Sequence, residues 1–263
     1  MKTQLTRAVV FAAGLALLVA VAAIAKPKTT ARVEKFEAGN IVVTDSGGIS
    51  PERLPRHEPA PITAELHARM ATKDGSHIPA ARQMTIDFDR TLQVDTRGLP
   101  VCSKGQLQAQ STAAAKRACA GAILGRGTGS AEVVFPEQAP INAKGPVIVF
   151  NGGTHGGTTV IFFHAYLDIP APTAIVVETK ITKVNNGHYG MHTVTRIPTI
   201  AGGAGSMTGV DLKLGRKYTY KGERKSFLTA SCPTGVYFIK GLLEFSDGTD
   251  LNITHIFPCT PIR

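Results

Sequence analysis

The chain has 263 residues, of which 18% are charged and 43% hydrophobic, and it carries a formal net charge of +10. This is an ordinary globular balance, long enough for one or two domains. There is no tryptophan, which removes the commonest sugar-stacking platform, and none of the four cysteines sits in a C-x-x-C pair, which argues against zinc and thioredoxin-like chemistry.

Lys2 and Arg7 precede an unbroken apolar run, Ala8 to Ala25, that ends Ala23-Ile24-Ala25. A basic start, an apolar stretch and small residues at an A-x-A site predict a secretory signal peptide over residues 1–25. The rival is an uncleaved membrane anchor, because the run approaches the minimum length for a span. Residues 26–61 contain Gly47-Gly48 and Pro51, Pro55, Pro59 and Pro61, and are expected to be a flexible tether. Within them only Asn40 to Thr44 reads as a short strand.

The folded domain is expected to span residues 62–263. Ile62, Ala64, Leu66, Ala68 and Met70 alternate with polar residues, as do Met84, Ile86 and Phe88, so both segments read as strands. Ser103 to Ala118 reads as the one helix, with Ser103 as its cap, Gln106 completing a capping box and Lys116-Arg117 at the end the helix dipole favours. Its flanks are Cys102 and Cys119. A straight helix between them would hold the two about 25 Å apart, whereas a disulfide needs Cα atoms within about 7 Å. Pairing therefore requires a shorter helix, with the chain folding back near Gln110-Ser111 or before Cys119.

Val160 to Leu167 is apolar on both alternating sets and must be covered on both faces. After Pro170 and Pro172, Ile175, Val177, Thr179 and Ile181 alternate with Glu178, Lys180 and Thr182, so the partner strand has one wet face. This hairpin is placed at the centre of the domain. Further strands follow to Phe257, separated by glycine-rich turns. The expected architecture is mostly β: a single antiparallel β-sandwich or jelly-roll-like domain of about ten strands with one short helix. Asp247-Gly248 predicts a tight turn that sets Val236 opposite Cys259, and Pro233-Thr234-Gly235 lets the chain fold Cys232 back to pair with Cys259. Two disulfides, Cys102–Cys119 and Cys232–Cys259, suit an oxidising compartment.

Gly98-Leu99-Pro100-Val101-Cys102, Cys119 with Gly121 to Gly127, Phe135-Pro136-Glu137, Ile197-Pro198, Gly215 to Gly222 and Ala230-Ser231-Cys232-Pro233 together resemble a family of exported, β-rich bacterial proteins of actinobacterial type. The resemblance runs from about Thr85 to the C-terminus. It implies export and one β-rich domain, and it carries no activity, ligand or site.

Catalytic chemistry finds little support. His155-Gly156-Gly157 is similar to an esterase oxyanion loop, but no G-x-S-x-G elbow partners it. Gly125 to Ser130 lacks the G-K-[ST] ending of a phosphate loop and reads as a flexible entry to a strand. His164 lies in the most apolar strand and reads as a core residue. His188 and His192, four apart on a strand, are about 13 Å from each other and too far to share a metal. Asp87 and Asp89 share a face, which a wetted sheet surface explains. Asn252-Ile253-Thr254 matches a glycosylation sequon. No catalytic residue, metal or cofactor is expected.

The strongest functional hint is Arg216 to Lys225, R-K-Y-T-Y-K-G-E-R-K, with a turn expected at Gly222-Glu223. Arg216, Lys217, Lys221, Arg224 and Lys225 could hold phosphate or sulfate groups of an anionic surface polymer or polysaccharide. They could equally keep an edge hairpin soluble. Three readings follow: an exported, non-enzymatic module at the cell surface or outside it; a secreted hydrolase of a polysaccharide or ester; and a membrane-tethered domain binding anionic polymer through the basic hairpin.

Overall fold

Apolar residues recur at every second position along most of the chain, so strands dominate. The computed structural model describes residues 33–168 and 170–263. The expected signal segment, residues 1–25, lies outside them. Twelve strands form one antiparallel sheet: β1 (Glu34–Ala38), β2 (Ile41–Ser50), β3 (Thr63–Thr72), β4 (Ala81–Asp89), β5 (Ile123–Val133), β6 (Ile141–His155), β7 (Thr158–Leu167), β8 (Thr173–Asn186), β9 (Tyr189–Arg196), β10 (Gly205–Leu214), β11 (Val236–Phe245) and β12 (Asp250–Pro258). Their lateral order is β1-β2-β3-β10-β5-β6-β7-β8-β9-β4-β11-β12.

The sheet curls until its edge strands meet. His255 of β12 lies 2.9 Å from Glu34 on β1 and 2.9 Å from Asp45 on β2. The sandwich of two packed sheets is thus corrected to a single, nearly barrel-shaped sheet, and about ten strands to twelve. Register shifts explain the curl. They interrupt six of the strand pairings, among them Val160/Ile161 and Met207/Gly209. Each such bulge bends its strand and increases local twist. Close approach of β5 to β10 adds to it: a Cβ on Gly127 would overlap the Asp211 carbonyl oxygen. The glycine run Gly125 to Gly129 is therefore strand itself, where a flexible entry to a strand was expected.

One sheet supplies both walls of the core. Ile41, Val43, Met70, Leu243, Phe245 and Leu251 pack together at one place inside it, and Leu124, Val149, Ile161, Ile181, Met191 and Phe227 at another. The opposite face of β6 and β7 is covered too. Ile148, Phe150 and Phe162 pack on Leu107, Ala115 and the Cys102–Cys119 pair. Val160 to Leu167 is consequently enclosed on both sides, as its sequence requires.

The covering element is a pair of helices, not one: α1 (Lys104–Leu107) and α2 (Thr112–Ala118). The Ser103/Gln106 capping box is present, and the Ser111 hydroxyl caps α2 one way, accepting from the Ala114 N–H. The chain reverses between them, with Ala109 at a φ of 56°. That reversal brings the Cα atoms of Cys102 and Cys119 to 5.6 Å. Cys232 and Cys259 are also bonded, Cα to Cα 6.1 Å. The register beside them is one residue off the expectation, since Val236 faces Pro258 and not Cys259. The cause is the turn: Phe245 N–H donates to Thr249 O, enclosing three residues, and only Gly248 has positive φ.

The expected tether is corrected as well. β1 and β2 are integral strands, and Leu54 and Ile62 are buried beside Cys232, Tyr237 and Cys259. Arg53–Pro55 pairs in parallel with Thr260–Ile262. The prolines terminate strands here without releasing the chain. No helix among the described residues is long and apolar enough to cross a membrane.

Candidate functional site

The basic segment forms a separate two-stranded ribbon, Lys217–Tyr220 with Glu223–Ser226. Its turn is Lys221-Gly222, one residue earlier than expected. Tyr220 faces Glu223, and Lys221 and Gly222 have φ of 52° and 80°. A type I′ turn needs positive φ at both central positions, and here a lysine occupies the first.

Alternation gives the ribbon two unlike faces. Tyr218 and Tyr220 turn toward the Asp95–Gly98 loop, where the Tyr218 hydroxyl donates to the Asp95 carbonyl at 3.3 Å. The Tyr220 ring lies so close to Gly98 that a Cβ there would sit 2.1 Å from it. Arg97 donates to both oxygens of Asp95, at 2.9 and 2.7 Å, and holds that carboxyl below its ordinary range. Asp95, Arg97 and Gly98 were missed from the sequence. They lie far upstream, and no local pattern links them to the ribbon.

Lys217, Thr219 and Arg224 occupy the other face, exposed, with Lys221 exposed at the tip. Lys221 Nζ stands 5.5 Å from the centre of the Tyr220 ring, within cation–π range. Two of the five expected cations are otherwise engaged. Arg216 donates to the Ile123 carbonyl at 2.7 Å, so it anchors the ribbon. Lys225 is half-buried and paired with Glu223. Among the described residues, Lys217, Lys221 and Arg224 have no ion-pair partner. Five cations and no acid precede Val33, so the described residues carry +5 of the net +10. Much of that excess is gathered at the ribbon.

The other candidates resolve into structure. Gly156 and Gly157, at φ of 55° and 80°, make the tight turn between β6 and β7. His164 is buried and donates from Nε2 to the Gln110 carbonyl at 2.9 Å; burial lowers its pKa, so it is a neutral tie between the sheet and the helical pair. His188 packs on Phe238 at 4.3 Å, while His192 pairs with Asp87 at 2.7 Å. Asp87 and Asp89 are not a wetted pair. Asp89 is buried, accepting from Thr91 at 2.8 Å and from the Phe238 N–H at 3.1 Å. Asn252 is exposed on β12.

One constellation had no sequence signal at all. Ser206 Oγ lies 3.2 Å from His77 Nε2, and His77 Nδ1 lies 2.7 Å from Glu132 Oε1. The spacing is that of a serine triad. The hydrogens argue otherwise. Ser206 is 2% exposed and donates its proton to the Ile78 carbonyl at 2.6 Å. A buried hydroxyl whose proton is given to a backbone carbonyl offers neither that proton to His77 nor its oxygen to a substrate. The cluster clamps the loop after β3 onto β5 and β10.

No protein-family model, curated protein or solved structure matches the chain.

Proposed function

We propose that the protein is an exported, non-enzymatic binding module that holds an anionic surface polymer through the basic ribbon. The observation that carries this is the pairing of a fixed base with unpaired tips. Tyr218, Tyr220 and Arg216 lock the ribbon to the body, while Lys217, Thr219, Lys221 and Arg224 face solvent together. A preorganised row of cations loses little entropy on meeting phosphate or sulfate groups. All four cysteines are paired, which suits an oxidising compartment. The resemblance to exported bacterial proteins agrees with that location.

The test is retention on immobilised heparin and on teichoic acid, with elution by salt. The K217Q/K221Q/R224Q variant should elute at clearly lower salt with little change in melting temperature, because the three side chains are exposed and the Lys221 contact with Tyr220 is worth only about 0.5–1 kcal/mol. Equal retention of variant and native protein would refute the reading. The hydrolase alternative predicts turnover of p-nitrophenyl acetate that S206A abolishes. The hydrogen pattern around Ser206 predicts no difference between S206A and native protein.

A further inference from the structure

On the outer face of β8 and β9 lies a second site, distinct from the ribbon. β8 presents Val176, Glu178, Lys180 and Thr182 outward, since alternate residues share a face. Thr158 of β7 and Val194 and Arg196 of β9 flank them, Thr158 opposite Thr182, Val194 opposite Lys180 and Arg196 opposite Glu178. Lys104 at the start of α1 forms one wall, and Ile197-Pro198 after β9 forms the other. Together they enclose an open trough of about 460 Å³. That volume lies within the range of clefts that take small molecules.

The lining is segregated. Val176 and Pro198 make an apolar end, and Val176 also packs against the cluster beneath the helical pair, while the Ile197 side chain turns into the core. One row further along β8, Arg196 faces Glu178, and Lys180 and Val194 follow. Three cations, Lys104, Lys180 and Arg196, meet one acid. Glu178 sits 3.7 Å from Lys180, an exposed and weak pair. It cannot neutralise all three, so the trough keeps an excess of two positive charges beside an apolar floor. Thr158 adds a hydroxyl at the far end, where the Thr182 hydroxyl donates to the His192 carbonyl at 3.4 Å. The wall that makes this a trough depends on the disulfide-bonded helical pair, which places Lys104 over the sheet.

We infer that this trough binds a single-chain amphiphile with an anionic head, its carboxylate held by Lys180, Arg196 and Lys104 and its hydrocarbon chain laid over Val176 and Pro198 at the apolar end. Charge complementarity selects the head, and the apolar end selects a chain over a purely polar anion. A carboxylate meets Arg196 as a bidentate acceptor, the stronger of the two cation geometries. The ribbon has no such apolar floor, so the two sites have different ligand chemistry.

The test uses dodecanoate as probe and dodecanol and acetate as controls, below micelle-forming concentration. Isothermal titration should show saturable 1:1 binding of dodecanoate. Dodecanol and acetate should each bind at least tenfold more weakly, one lacking the charge and the other the chain. R196Q/K180Q should weaken dodecanoate at least tenfold while leaving heparin retention intact. A second variant, V194E, sets a carboxylate opposite Lys180, where the head binds, and should abolish binding without changing the circular dichroism spectrum. NMR shifts should fall on Thr182, Val194 and Arg196. No binding to the native protein, equal binding of R196Q/K180Q, or shifts centred on Lys221 would each overturn the inference. K217Q/K221Q/R224Q should bind dodecanoate normally, which separates failure of this site from failure of the ribbon.

Discussion

The seam where the sheet closes rests on one histidine, and His255→Gln tests it. Glu34 and Asp45 are directly opposed across β1 and β2, both on the inward face. Like charges so placed repel unless a cation stands between them. His255 is that cation: its Nε2 donates to Asp45 at 2.9 Å, and its Nδ1 lies 2.9 Å from Glu34. Phe36 meets the ring edge-on at 5.1 Å and Phe257 stacks on it at 5.0 Å. Burial pushes the imidazole pKa down, but the Asp45 and Glu34 carboxylates outweigh burial and raise it. Removing the partner of a buried charge costs about 3–5 kcal/mol, and His255 and Asp45 are under 10% exposed. A raised folded pKa stabilises fully below the unfolded value of about 6.5 and is lost as pH climbs through the folded value. The loss runs at no more than about 1.4 kcal/mol per pH unit. His164 has the opposite sign, because its lowered pKa costs stability only as pH falls below about 6.5. The difference between native and H255Q protein therefore isolates the His255 contribution above that pH. Urea unfolding of native and H255Q protein from pH 6 to pH 9 should show a gap of several kcal/mol that narrows as pH rises. Adding Asp45→Asn to H255Q should recover part of it. A gap below about 1 kcal/mol, or one that is flat with pH, would refute a seam held by charge.

Three further outcomes are expected. The C102S/C119S variant, which opens a loop with a sequence separation of 17, should lose about 3 kcal/mol. Faster amide exchange in that variant should be confined to residues 103–118. Tyr237→Phe removes a buried hydroxyl with no hydrogen-bond partner among the described residues, on a side chain whose pKa burial and then Asp89 push up to about 12. It should leave denaturant stability unchanged or raise it by up to about 1 kcal/mol. Gly98→Ala places a Cβ against Tyr220 at a φ of 79°; it should cost at least about 1 kcal/mol. Exchange of the ribbon amides should rise with it.

What the sequence disclosed were features set by neighbours a few residues apart. Val160 to Leu167 announces burial on two faces because both alternating sets are apolar. The Ser103/Gln106 cap and the fold-back demanded by Cys102–Cys119 follow from bond lengths alone. Closure did not follow. Bulges such as Val160/Ile161 leave no residue signature, so a curled single sheet and two flat ones present the same alternation. The tether was misread for a related reason: Pro51, Pro55, Pro59 and Pro61 stop ladders, yet Leu54 between them is buried at 1% exposure. The basic ribbon was legible as a charge run. Its foundation was not, because Asp95, Arg97 and Gly98 reach Tyr218 and Tyr220 only after folding.

Charge in this protein does two jobs in two dielectrics. Inside, His255 and Asp45 meet out of water with Glu34 half-buried beside them, where salt screens weakly and each charge needs its partner. Outside, Lys217, Lys221 and Arg224 are exposed, only Lys221 touching a ring, that of Tyr220, and like charges crowded on one small ribbon repel one another. A fold that needed only solubility could spread those cations over its surface. Here Arg216 is spent on the Ile123 carbonyl and two tyrosines are spent on the Asp95–Gly98 loop to hold the crowd in place. Raised salt should therefore release a bound polyanion well before it affects unfolding, because the ribbon's charges are exposed to screening and the seam's are not.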